Sequence, residues 1–430
     1  MISKSTYINI LLIIFILGSS IAGIVPKIQY ETISLGTGYQ HVFILMLILY
    51  IDQVFALIYY YTIEKRKEEK EENERKEENK EKEENEEEIN NENKKKPPFK
   101  FYQSLPSIIF DFFGSSLAFF GLALLPGSIC QMLRGALLIF TYILSVIFIK
   151  NVHNKNHYFG MFLTIIGLII VGLAEGLKKK NDLKSIIFGI CLTVIGQFFT
   201  ALQFVYEENL TKKYECKITK IIGFQGIFGI LLMIIVLPIL DSINCGNGKS
   251  DFVRNVCTKD ENGIWSLENF KFAMKQLKNS KKLIWLSLLY AIGDLGYNLT
   301  GITIGKEATS TARAIAENMK IILIWAFFLF PFNPIQYREK FNWIQLIGYL
   351  VLLFGNLIYH EIIVLFKYDS NDENIENKSS EEFNLIDNDL DKNNKEGNSK
   401  TSETRTNDLG NDYNNLSDEY DVLISREKSK

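Results

Sequence analysis

Arg134 stands about two turns into GSICQMLRGALLIFTYILSVIFI, an apolar run over residues 127–149. Crossing a bilayer takes about 20 such residues, and a guanidinium near mid-depth costs on the order of 2.5–3.5 kcal/mol on insertion scales. A charge kept there faces a bundle interior or a water-filled cavity and is a candidate binding group. Gln131, three residues earlier, shares its helical face, and Thr141 extends that face. Asp111 lies in FDFFGSSLAFFG, with Ser115 and Ser116 a turn further on. Gln197 and Gln203 fall in another apolar run, with Glu207 and Glu208 at its end. In GDLGYNLTGITIGKEATSTARAIAENMKIILIWAF (293–327), Asp294 and Asn298 are four apart, and Arg313, Glu317 and Lys320 step by four and three along one face.

Two readings of these charges are open. They pair with one another structurally, Arg313 with Glu317 and Arg134 with Asp111 or Glu317. Alternatively they line an aqueous path and bind solute, exchanging partners as the protein moves. Their number and their spread over several segments favour the second. Other chemistry lacks support. The four histidines are scattered, no cysteines have CxxC spacing, and so no metal site is expected. No Gly-rich phosphate loop or nucleophile–base arrangement points to an enzyme or a cofactor. The Glu/Lys-rich tract 64–96 has mixed signs and is net acidic, which argues against nucleic acid.

The elements that hold these residues follow from the pattern of hydropathy. The chain average hides two populations: 47 Lys and Arg balance 50 Asp and Glu, and the mean hydropathy is +0.06. The tract 62–100 and the tail 368–430 are polar and expected to be disordered, because they cannot bury enough apolar surface to offset the entropy of ordering. The rest reads as an all-α polytopic membrane protein with ten spans: 7–25, 40–61, 105–125, 127–149, 158–177, 185–206, 221–240, 283–303, 309–330 and 343–367. The first is too long for a signal-peptide core and lacks a clear cleavage site, so it is read as a retained helix.

Basic residues at 65–67, 94–96, 212, 213 and 217 put both termini in the cytosol, although Lys178–Lys180 argue the other way. The loop 241–282 is then lumenal, where Cys245 and Cys257 can form a disulfide or remain as thiols. Cys130 and Cys191 read as small apolar packers inside helices.

An internal repeat organises the spans. FGMFLTIIGLII (159–170) and IGYLVLLFGNLI (347–358) each carry two glycines seven apart, Gly160/Gly167 and Gly348/Gly355. Such glycines allow close helix approach. Asp111 precedes Arg134 as Asp294 precedes Arg313. Five spans per half invert the second half relative to the first, the plan of secondary transporters with a site between the halves. The halves are 1–177 and 178–367.

QMLRGALLIFTYILSVIFI (131–149), GLIIVGLAEGL (167–177), QFVYEENLTKKY (203–214) and GKEATSTARAIAENMKIILIWA (305–326) resemble the drug/metabolite transporter superfamily, and within it the F-type branch of the solute carrier 35 family. Chloroquine-resistance transporters are a more distant comparison. The resemblance spans the membrane part of the chain and implies ten helices in two inverted halves around a central cavity. Matching positions are Asp111, Gln131, Arg134, Glu207, Lys306, Glu307, Thr311 and Arg313, with Glu317 and Lys320 in step. Gln225 stands where the resemblance leads one to expect an acidic residue.

The expectation is a secondary transporter of small anionic or zwitterionic metabolites, not an enzyme. Arg134 and Arg313 would contact the solute, and Asp111, Asp294 and Glu317 would hold the arginines or carry a proton. Gln131, Gln197, Gln203, Asn298, Thr311 and Lys320 would line the cavity, with Glu207, Lys306 and Glu307 at a gate. The alternative is a non-transporting membrane adaptor acting through its polar segments. Acidic residues four before Leu-Ile pairs at 381–386 and 419–424 resemble sorting-adaptor signals. They suggest a lysosome or vacuole, with mitochondrion, plastid-like organelle and Golgi as alternatives. A homodimer remains open.

Overall fold

A computed structural model describes residues 4–70, 97–149, 155–176, 183–214, 216–246, 256–259, 263–307, 309–329, 339, 341–359 and 363–365. These belong to one compact unit, Met1–Lys367. The signals at 381–386 and 419–424, the tail, residues 71–96 of the linker and Lys178–Lys180 lie outside the described residues.

The described chain is mostly helical: α1 (Lys4–Glu31), α2 (Val42–Tyr59), α3 (Leu105–Leu124), α4 (Gly127–Leu133), α5 (Ala136–Ile149), α6 (Lys155–Gly176), α7 (Leu183–Lys213), α8 (Ile218–Ser242), α9 (Phe270–Asn279), α10 (Lys281–Glu307), α11 (Ser310–Leu329) and α12 (Trp343–Tyr359). Among the described residues, seven helical stretches are long and apolar enough to cross a bilayer, with α4 and α5 forming one of them. Helices α10 and α11 carry charge in their interiors, and α12 is shorter, at 17 residues. The chain is a polytopic membrane protein.

Local sequence sets the breaks. Pro106 opens α3, where its missing N–H has no helical partner to lose. Leu125 is extended because it precedes Pro126, which ends α3 and starts α4. The expected continuous span 127–149 is interrupted at Arg134–Gly135. There Gly135, Leu137 and Leu138 donate to carbonyls three residues back (Met132, Arg134 and Gly135), so the helix is locally wound into a tighter turn. The described part of α12 ends at Tyr359, and residues 363–365, inside the expected span to 367, are not helical.

The most extensive packing joins α6 to α12, α3 to α7, α1 to α10 and α2 to α8; α5 also lies on α7, and α1 on α11. The α6–α12 seam is backbone on backbone. A Cβ on Gly160 would come 2.6 Å from the Gly355 carbonyl oxygen, and one on Gly167 would come 2.8 Å from that of Gly348. Cys130 is buried as expected, but Cys191 is exposed on the outer face of α7.

A cap forms at one end of the bundle. Strands β1 (Ile33–Ser34) and β2 (Thr37–Gly38) make one hairpin, and β3 (Thr258–Lys259) and β4 (Trp265–Ser266) another. Cys245 and Cys257 are joined by a disulfide, with Cα atoms 6.5 Å apart. The Asn269 side chain caps α9 by accepting from the Phe272 N–H. Fully buried His41 places Nδ1 2.5 Å from Glu268 Oε1 and Nε2 3.0 Å from Gln276 Oε1. Glu268 Oε2 accepts from the Phe43 N–H, and Gln276 Nε2 donates to the Ser34 carbonyl. These bonds tie the α1–α2 connection to the loop before α10.

Candidate functional site

Helices α1, α2, α3, α7, α10 and α11 enclose a cavity of about 70 Å³, and Arg134 at the α4–α5 break lines it too. Around it gather Asp111, Arg134, Gln197, Gln203, Asp294, Asn298, Arg313, Glu317 and Lys320, brought from four separate stretches of sequence. Gln131 and Thr311 do not line it. Gln131 instead donates from Nε2 to the Gly23 carbonyl, 3.3 Å away. At the end of α10, Lys306 is half-buried and Glu307 exposed.

The pairing differs from the simplest sequence expectation. Arg313 bonds Glu207 on α7 rather than Glu317, with Nη1 2.5 Å from Oε2. Glu317 instead pairs with Lys320, one turn away on α11. The other oxygen of Glu207 accepts from Ser107 Oγ at 2.7 Å, Gln225 Nε2 at 2.8 Å and Gln203 Nε2 at 3.1 Å. A buried ion pair is tolerable when further hydrogen bonds satisfy its remaining lone pairs. Glu207 meets that condition, so its carboxylate is an anchor that positions Arg313. Its neighbour Glu208 accepts from the Ser310 N–H at the start of α11 and pairs with Lys212.

Arg313 is 1% exposed. Its guanidinium carbon lies 3.7 Å from the centre of the Phe204 ring, a close cation–π contact. Nε and Nη2 have no hydrogen-bond partner among the described residues. Gly301 leaves room for the group, because a Cβ there would sit 2.7 Å from Nε. Across the cavity, Asn298 Nδ2 donates to Asp294 Oδ2 at 2.7 Å, and Ser115 Oγ donates to Asp111 Oδ1 at 3.1 Å. The site therefore offers fixed cations and fixed, partly satisfied carboxylates facing one small space.

The residue-by-residue reading left out Phe204, Tyr290, Tyr297 and Ser107. Phe204 is seven residues from Gln197 and Tyr297 is three from Asp294, so helical spacing could have found both. Gln225 acts as a hydrogen-bond donor to the Glu207 carboxylate, a role that an ionised acid there could not fill. Asp52, the one acidic residue of the expected span 40–61, is 4% exposed, and its oxygens find no hydrogen-bond partner among the described residues.

Residues 83–359 match the family described as CRT-like, chloroquine-resistance transporter-like. The chain belongs to this CRT-like family. The rat protein "Solute carrier family 35 member F6" is 30% identical over 269 residues, covering 62% of this chain and 68% of its own. The mouse protein of that name is 31% identical over 268 residues, covering 61% and 67%. "UDP-xylose transporter 2" of Arabidopsis thaliana is 20% identical over 229 residues, covering 53% and 54%. The match of this CRT-like chain begins before α3 and ends with α12, so it takes in every residue placed around the cavity except those of α1 and α2.

Proposed function

We propose that the chain is a secondary transporter that moves small anionic or zwitterionic metabolites across an intracellular membrane by alternating access. The observation that carries this reading is Arg313, a nearly fully buried guanidinium with two nitrogens unpartnered among the described residues, lining a cavity also lined by Arg134 and Lys320. Its planar fork suits carboxylate or phosphate. Asp111 and Asp294 supply the opposite pole for an amine or a coupled proton. Glu207, held by four donors, fixes the geometry of Arg313 rather than opening as a gate. The names of the relatives, a solute carrier and a UDP-xylose transporter, agree with transport.

The proposed architecture is ten spans in two inverted halves, 1–177 and 178–367, with cytosolic termini and the 241–282 loop on the far side. Taking α4 and α5 as one span, moving each partner five spans along converts α1 on α10 into α7 on α3, and α5 on α7 into α11 on α1. Gly18 against Gly293 and Gly114 against Gly196 fall on the exchanged pairs. This exchange symmetry supports the inverted plan. A lysosomal or vacuolar address rests on the sequence patterns at 381–386 and 419–424.

The test is a thermal-shift screen of detergent-purified protein against nucleotide sugars, nucleotides, amino acids, short peptides and organic acids. A ligand at 100 times its Kd stabilises by about 2.7 kcal/mol. The expected result is a hit that survives in Asp52→Asn, disappears in Arg134→Ala and Arg313→Ala, and drives uptake into liposomes. Solute flux that persists undiminished in both arginine variants would overturn the assignment.

A further inference from the structure

We propose that the groove between α2 and α10, roofed by α9, is a binding site for a phospholipid with an anionic headgroup. The groove is distinct from the central cavity and encloses about 380 Å³. That lies within the roughly 300–1,000 Å³ of small-molecule pockets. Ile51 and Phe55 form one wall, Ile284 and Leu288 the other, and Ala291 keeps the floor low.

No polar group competes inside it. The Asp52 carboxylate oxygens are wholly buried, and the Ser287 hydroxyl is engaged by Gln29 Nε2 at 2.9 Å. The charge among the groove's lining residues that stays exposed is Lys278, on α9.

The occupant follows from where α9 lies and what it carries. This ten-residue helix packs on the start of α10, with Phe272 and Ala273 buried and Met274 and Leu277 lining the groove. Lys271, Lys275, Lys278, Lys281 and Lys282 are all exposed, and residues 269–293 contain no acid. Trp285 follows, 71% exposed. An amphipathic helix with lysines on its polar face lies in the membrane interface and attracts anionic lipid. A tryptophan at the same level is a typical interfacial anchor. An acyl chain fits the apolar channel, and the phosphate then meets Lys278 at its mouth. The charge complementarity selects an anionic headgroup over phosphatidylcholine.

The test is native mass spectrometry of the full chain in detergent, titrated with dioleoyl-phosphatidylglycerol, dioleoyl-phosphatidylcholine or oleic acid. Phosphatidylglycerol should form the first adduct at the lowest concentration. A lysine near anionic lipid is worth about a fivefold change in affinity, so Lys278→Gln should shift that adduct about fivefold. Ala291→Phe, which fills the floor, should remove it while phosphatidylcholine adducts stay unchanged. Should Ala291→Phe fail to fold, phosphatidylglycerol with brominated chains is used on the intact protein. It should quench tryptophan emission, and Trp285→Phe should lose most of that quenching. Equal uptake of the two phospholipids overturns the site. So does a preference that ignores both variants, which would be charge adsorption alone. Oleic acid binding as tightly as phosphatidylglycerol would point to a fatty-acid site instead.

Discussion

Glu207 Oε2 and Arg313 Nη1 lie 2.5 Å apart, on residues 2% and 1% exposed, and join α7 to α11. Around them Ser107, Gln203 and Gln225 complete the shell of the carboxylate. Removing one partner strands the other. Breaking a buried pair in this way costs about 3–5 kcal/mol, whereas replacing both partners with apolar groups is often neutral. Glu207→Ala should therefore lower the melting temperature in detergent far more than Glu207→Leu with Arg313→Met. Equal losses in the two proteins would mean that the pair contributes no specific constraint.

Glycines at the α6–α12 seam should tolerate no side chain. Gly355→Leu would drive its Cβ to within 2.7 Å of the Thr164 backbone nitrogen. Overpacking of this kind typically costs about 1–3 kcal/mol or more. Gly172→Ala is the control, since its nearest neighbour would be Ile190 at an ordinary 3.6 Å. Size-exclusion profiles should show aggregated or low-yield Gly355→Leu protein beside monodisperse Gly172→Ala.

The cap should respond to reduction. The disulfide closes a separation of 12 residues. A 15-residue loop gains about 3 kcal/mol in the chain-entropy picture. Cys257→Ser should speed proteolysis within 241–282 and leave cleavage elsewhere unchanged. His41→Ala should do the same by stranding the buried Glu268 carboxylate. Unaltered protection in both variants would show that the cap is held by packing alone.

Cys216, between α7 and α8, should react sluggishly. Burial pushes its thiol up to about 12, outweighing the nearby Lys220, which favours the thiolate. Only the thiolate is nucleophilic, so at neutral pH the native protein should incorporate maleimide at Cys216 slowly, and the denatured protein quickly. Fast native labelling would contradict the half-buried setting of this thiol.

The apolar spans and most of the cavity residues were legible because membrane depth makes a charge conspicuous. Arg134, Arg313 and Asp294 stand out in any apolar run. Their partners did not. Glu207 lies 106 residues from Arg313, and helical spacing speaks only to neighbours on one helix, which is why Glu317 was the natural guess. The break at Arg134–Gly135 was hidden because the apolar pattern runs through it without a proline. Aromatic residues were overlooked for a different reason. In a chain with 31 Phe and 20 Tyr, Phe204 and Tyr297 are marked only by their helical spacing from Gln197 and Asp294, because the residue type does not separate a cation–π partner from a lipid-facing ring.

The seam of Gly160, Gly167, Gly348 and Gly355 has a mechanical meaning. At these four glycines the two backbones come into direct contact, Thr164 and Val171 fill in beside them, and Thr164 Oγ1 bonds Asn356 Oδ1 across the seam, so α6 and α12 cannot part or slide without losing many contacts at once. The α2–α8 seam is built alike, with Gly226 against the Tyr50 carbonyl and Gly229 against the Tyr50 ring, so each of these two helix pairs is expected to travel as one body.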